Sequence, residues 1–288
     1  MEVKLTLRHV LLIWILIMFG CTAIEPTSLS DELVVGPRVF SHESFDRVLQ
    51  EFVNVEGLVN YELLKQEPHD LDLYYHQIAT YSPDSHPDLF PSENHKLAYW
   101  INAYNATAIK IVLTYYPISS VLDIKPPAAL FFLTDKTGFF LFQRLTYGGK
   151  TTSLYYLENS VIRKRFQEPR IHFALNCAAL GCPRLPDRAF KGDDLEQQLD
   201  EETRMFLSEE PNFRIDHTQK IIFLSSIFNW FKKDFLIWYQ SQFPDQKAAI
   251  LDYIALYLPK DKADVLQTVQ PTYAVRFVPY DWHLNDQK

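Results

Sequence analysis

Glycine is scarce in this chain. Eight of 288 residues are Gly, while 22% are charged, a balance that excludes a disordered or low-complexity chain. Basic residues are also short: 28 Lys and Arg face 36 Asp and Glu, for a net charge of -8. A surface that tracks phosphates needs the opposite sign, so no nucleic-acid partner is expected. There is no internal repeat, and no apolar run reaches the roughly 20 residues of a membrane-spanning helix. Cysteine is limited to three residues, at positions 21, 177 and 182. What is abundant is apolar and aromatic side chain, 47% and 15% of the residues, enough for a packed core.

The longest apolar run, Val10 to Phe19, has the length of a signal-peptide core, with Lys4 and Arg8 ahead of it. It ends Met18-Phe19-Gly20-Cys21, similar to a bacterial lipobox, in which Gly precedes the Cys that takes the lipid; Met18 stands in for the usual Leu. Thr22 follows, where an Asp would retain the protein at the inner membrane. The reading is a signal peptide over 1–20, lipidation at Cys21, a polar tether over 21–38 and one domain over 39–288. It implies a membrane-anchored lipoprotein of the bacterial cell envelope, on the outer membrane facing the periplasm. In that oxidising compartment the remaining pair, Cys177 and Cys182, reads as a disulfide.

Within 39–288, helices and hairpins alternate without regular βαβ order. This predicts an α+β fold in which a long central helix and further helices pack on a mainly antiparallel sheet. Phe45, Val48, Leu49 and Phe52 mark one buried helix face. Asp70 is expected to cap a second helix, after extended chain from Tyr61. Ser92 opens the longest helix, apolar nearly all round and ending before Pro117. Hairpins are expected around Gly148-Gly149 and His217–Lys220. Further helices are expected after Ser153, Asp193 or Asp194, Ser225 and Asp245, with a last strand over 273–277.

The chemistry-bearing stretch is Arg170-Ile-His-Phe-Ala-Leu-Asn-Cys177, followed by Gly181-Cys-Pro183. Ile171, Phe173 and Leu175 alternate with polar or small residues, the period of a buried strand opening into a turn. Together with Ala98-Tyr-Trp-Ile-Asn-Ala-Tyr-Asn-Ala106, Ser153-Leu, Glu158, Arg163 and Tyr280-Asp-Trp-His-Leu-Asn285, this stretch resembles the family known as domain of unknown function 547. His283 stands where that family more often has Ser. The resemblance implies no established reaction, so roles must come from the residues.

Two functions are open at this point. Cys177 as nucleophile and His172 as acid or base, with Asp281 orienting the imidazole, would make a thiol-dependent hydrolase or transferase. Asn102, Asn105, Asn176 and Trp100 would then bind the ligand, an unknown small molecule or peptide. Alternatively, the domain is a non-catalytic binding or scaffold module whose Cys177–Cys182 bridge is structural. A short-loop bridge of this kind stabilises by about 2 kcal/mol. The spacing of His172, Cys177, Cys182 and His283 or Asp281 matches no zinc pattern, and no metal or cofactor is expected. Glu158, Arg163 and Arg170 offer an anion site or a plain ion pair, and Trp100, Tyr104 and Trp282 an aromatic pocket or core. The last strand is expected beside residues 170–176, bringing Asp281 to His172.

Overall fold

In the computed structural model, which describes residues 22–25, 39–130 and 132–288, Phe45, Val48, Leu49 and Phe52 form the buried face of the first helix, α1 (Glu43–Phe52). The expected extended chain after Tyr61 is instead a short helix, α2 (Tyr61–Gln66), because the Asn60 side chain accepts from the Leu63 amide and caps it. Helix α3 (His69–Thr80) carries Asp70 in its first turn rather than at its cap. There Asp70 takes a bidentate bond from Arg47 of α1.

Helix α4 (Glu93–Tyr115) begins at Ser92 as expected, with the Ser92 hydroxyl accepting from the His95 amide. From Leu97 to Leu113 every residue except Lys110 is buried, so this helix runs through the core instead of lying on it.

After α5 (Lys136–Phe140), strands β2 (Gln143–Tyr147) and β3 (Lys150–Thr152) form the first hairpin. Gly148 and Gly149 both have positive φ, 55° and 78°, the conformation a two-residue hairpin turn requires. A two-residue strand, β1 (Thr22–Ala23), pairs parallel to β2. The Tyr75 hydroxyl donates to the Ile24 carbonyl. The start of the expected tether is therefore docked on the sheet. Residues 1–20, Cys21 and the rest of the tether to 38 lie outside the described residues.

Ser153 caps the next helical segment. It begins as α6 (Leu154–Tyr156), widens to a π-helix over Leu157–Ile162 and ends as α7 (Arg163–Phe166). The chain then makes a 3-10 turn over Pro169–Phe173, where a strand was expected. The apparent two-residue period had no two faces behind it: all residues from 169 to 179 are buried. Glu168 caps the turn through the Arg170 amide. Beyond it, Asn105 of α4 accepts from the Asn176 amide and donates to the Ala174 carbonyl, at 2.8 and 2.9 Å. These side-chain bonds replace the ladder partners a strand would need.

Helix α8 (Leu195–Ser208) leads to the second hairpin, β4 (Phe213–Asp216) and β5 (Ile221–Ser225). Four helices follow, α9 (Ile227–Trp230), α10 (Lys232–Gln242), α11 (Ile250–Ala255) and α12 (Lys260–Val269). Strand β6 (Ala274–Val278) then returns parallel to β5. The fold is α+β as expected, but among the described residues the strands form two small three-stranded sheets, each a hairpin with one parallel neighbour. The larger core surrounds α4, and a smaller one gathers Phe173, Phe206, Phe228, Phe235 and Tyr253.

The last residues tie the two together. Gly181 donates to the Asp281 carbonyl, Leu180 to that of His283 and Asn285 to that of Ala178. The final segment thus crosses the turn between the cysteines, but β6 itself pairs with β5 and not with residues 170–176.

Candidate functional site

His172 is buried at the end of the 3-10 turn. Its Nε2 donates to Asp234 in the first turn of α10, at 2.9 Å. The ring stacks on Phe231 with centroids 3.9 Å apart. Asp234 also takes two bonds from Arg163 of α7, at 2.7 and 3.1 Å. Burial lowers the His172 pKa and the carboxylate only partly restores it, so the imidazole is neutral at pH 7 and held in one orientation. Burial alone would raise Asp234; the bonds from His172 and Arg163 outweigh it and hold the carboxyl well below the usual range.

Glu158 sits in the π-helical segment. The Tyr104 hydroxyl of α4 donates to its Oε2 at 3.4 Å. Its side chain keeps some surface toward a cavity, yet protein encloses the carboxyl. Burial pushes the carboxyl up to about 7, against the opposing pull of Arg163 and the Tyr104 bond.

The two cysteines are joined, Cys177 to Cys182, with Cα atoms 6.3 Å apart. The Tyr280 hydroxyl lies against both sulfurs, 3.3 Å from Cys177 and 3.0 Å from Cys182.

These groups open on one cavity of about 250 Å3. Tyr104, Glu158 and His172 form its buried end, and the disulfide with Leu175 and Pro183 forms a wall. At the exposed end, the Lys136 ammonium lies over the rings of Trp230 and Trp282, 4.8 and 4.3 Å from their centroids.

The expected site residues divide. His172, Cys177 and Cys182 meet at the cavity, together with Tyr104, Trp282 and Glu158. Asp281 does not join them: its carboxylate accepts from the His283 ring at 2.6 Å and from the His283 amide. The orienting carboxylate is Asp234. Asn102 accepts from the Phe190 amide and donates to its carbonyl, at 2.9 and 2.8 Å. Asn176 accepts from the Ala178 amide and donates to the Pro183 carbonyl. Asn102, Asn105 and Asn176 hold loops and line no part of the cavity. Trp100 is core, packed edge-on against Tyr99 and Tyr147. Arg170 belongs elsewhere, bonded to Glu168, Glu196 and Asp200.

Asp234, Lys136 and Trp230 were not singled out from the sequence. An Asp in a helix's first turn reads as an ordinary dipole partner, and a lone surface Lys carries no pattern. Among the described residues no three His, Cys, Asp or Glu side chains stand together so as to hold a metal ion. Nor is any helix among them long and apolar enough to cross a membrane.

No curated protein and no solved structure matches the chain. Residues 89–207 match the family described as Protein of unknown function, DUF547; the closing motif from Tyr280 lies beyond that match. The matched segment, which holds α4, Glu158, His172 and both joined cysteines, covers less than half of the chain and is similar to the domain of unknown function 547 family.

Proposed function

We propose that the cavity between the disulfide and the Trp230–Trp282 pair is a small-molecule site doing acid–base chemistry. His172, neutral and oriented by Asp234, is the base; Glu158, half protonated near neutral pH, is the acid. One observation carries this: two ionisable groups, their proton affinities moved in opposite directions relative to bulk water, open on the same cavity. The test is a panel of aryl esters, amides and glycosides incubated with the full chain. Turnover should fall at least about a hundredfold in both Glu158→Gln and His172→Gln with melting intact. Turnover preserved in either variant removes that residue's role.

A thiol mechanism is the second reading. Cys177 and His172 share the cavity, and His172 has the carboxylate partner such a mechanism needs. It requires the bridge to Cys182 to be open, since a thiolate is the nucleophile. Alkylation of Cys177 after mild reductant, faster in the parent than in His172→Gln, supports it. A bridge that resists mild reductant favours the non-catalytic reading, in which the disulfide is structural.

We further propose an envelope lipoprotein, exported by the signal segment over 1–20 and anchored at Cys21. The apolar run ending in Gly20-Cys21 supports it. With Thr22 paired to β2, an acyl chain on Cys21 would hold the sheet close to the bilayer. Cys21→Ser should release the protein from the membrane fraction or leave it unprocessed. A variant processed and fractionated like the parent rules lipidation out.

A further inference from the structure

We infer that the cavity takes a small cyclic carboxylate, its ring packed on Trp230 and Trp282 and its anionic group bonded to the Lys136 ammonium. The inference rests on the cavity being a ligand site, as proposed above.

Charge accounting comes first. At the buried end His172 is neutral and Glu158 is at least half protonated below pH 7. The Asp234 charge is matched by Arg163 and lies outside the cavity lining. The cysteines, joined to each other, carry none. That leaves Lys136 as the group in the lining with a lasting charge. Among the described residues no carboxylate is paired with its ammonium, whose pKa burial lowers. Neighbouring Asp135 bonds to Lys125 instead, at 2.9 Å. Among the described residues the ammonium is held by the two indole faces. A ligand anion placed there would gain a charge-assisted bond and displace no protein partner.

The shape of the site argues for a ring. Trp230 and Trp282 stack with centroids 6.0 Å apart, and Tyr280 lies 4.5 Å from Trp282. Flat aromatic walls recognise another flat or ring-shaped face by stacking. A volume of about 250 Å3 falls just below the roughly 300–1,000 Å3 of pockets for drug-sized ligands, so a single ring is the appropriate size. The protonated Glu158 adds a donor at the buried end for a ligand oxygen.

Aromatic acids and acidic sugars share this chemistry, and the experiment separates them. Tryptophan fluorescence of the full chain is titrated at pH 6 with benzoate, glucuronate, benzyl alcohol and methyl glucoside. One of the two anions should quench saturably, at least about tenfold tighter than its neutral counterpart. Lys136→Met should erase that preference without weakening the neutral probe, whereas Lys136→Arg should retain it. Whichever anion binds identifies the ring. Neutral probes binding as tightly as the anions, or a preference indifferent to Lys136→Met, overturns the inference and leaves the cavity a ligand site. No saturable binding by any of the four overturns the inference and the ligand site together.

Discussion

Glu158 and Asp234 are both carboxylates near Arg163, yet their proton affinities move in opposite directions. Asp234 receives bonds from a guanidinium and an imidazole; Glu158 receives one long phenol bond and is otherwise enclosed. For Glu158 the folded pKa of about 7 lies above the ordinary 4.5. The folded chain therefore binds more protons than the unfolded one between those values, and stability falls as pH rises through that window. Below 4.5 this group takes nothing away; above 7 its full effect is felt, at most ~3 kcal/mol and less because the side chain keeps some solvent contact. Glu158→Gln should lack that decline, so urea melts from pH 4.5 to 8 should converge at the acid end and favour the variant at the alkaline end. Parallel curves would show that the carboxyl is not held protonated.

Asp234 works the other way. Its depressed pKa gives stability that is present above the ordinary carboxylate range and lost as pH falls through the folded value. Asp234→Asn should cost about 1–3 kcal/mol at pH 7, because a charged acceptor for a buried imidazole and a half-buried guanidinium is lost. The His172 titration, followed by NMR, should move lower still, since Asp234 is what raises it against burial. An unchanged His172 midpoint would contradict the pairing. None of this was legible in the sequence. His172 and Asp234 lie 62 residues apart, and the closing motif, farther still along the chain, held a different, equally plausible Asp.

At the scale of the elements, α4 was readable because its start, length and all-round apolarity are local properties. Its two asparagines were not, since a buried Asn serves a cavity or a loop according to what packs against it. Both serve loops. Asn102→Leu strands a buried amide and carbonyl of Phe190, and should cost roughly 1–3 kcal/mol for each. Thermal melts check this, and an unchanged melt would mean water satisfies both groups. The expected strand at 170–176 failed for a related reason: alternation in a fully buried segment carries no information about faces.

Gly181 is fixed by the chain that crosses it. A Cβ there would lie 2.8 and 2.9 Å from the backbone N and O of Asp281. Gly181→Ala should force the closing segment away from the turn, lower the melting temperature and loosen Tyr280 from the disulfide. Tryptophan fluorescence from Trp282 would report the shift; a spectrum and melt like the parent's would show that the segment yields freely.

For the whole molecule, one core surrounds α4 and another lies under α10 and α11, with Tyr280 packed against both. The disulfide closes only a short loop at the edge of the first. Its loss in a Cys177→Ser, Cys182→Ser double variant should cost about 2 kcal/mol, a few degrees of melting temperature in a chain of this size. A collapse of the fold would show that the bridge holds the core around α4 together rather than trimming a turn.

Sequence alone determined whatever depends on neighbours along the chain. The spacing of Phe45, Val48, Leu49 and Phe52 set α1, Ser92 and Ser153 set helix starts, and Gly148-Gly149 set a hairpin. The long motifs placed His172 and the two cysteines in the region that carries the cavity. Tertiary structure decided what depends on contacts between distant segments. It supplied the carboxylate that orients His172, the enclosure that raises Glu158 and the Lys136 cation over two indoles. It also drew Asn102, Asn105 and Asn176 away from the site. Local backbone preference is written in a few adjacent residues, whereas the burial and charge that shift a proton come from side chains the sequence keeps far apart.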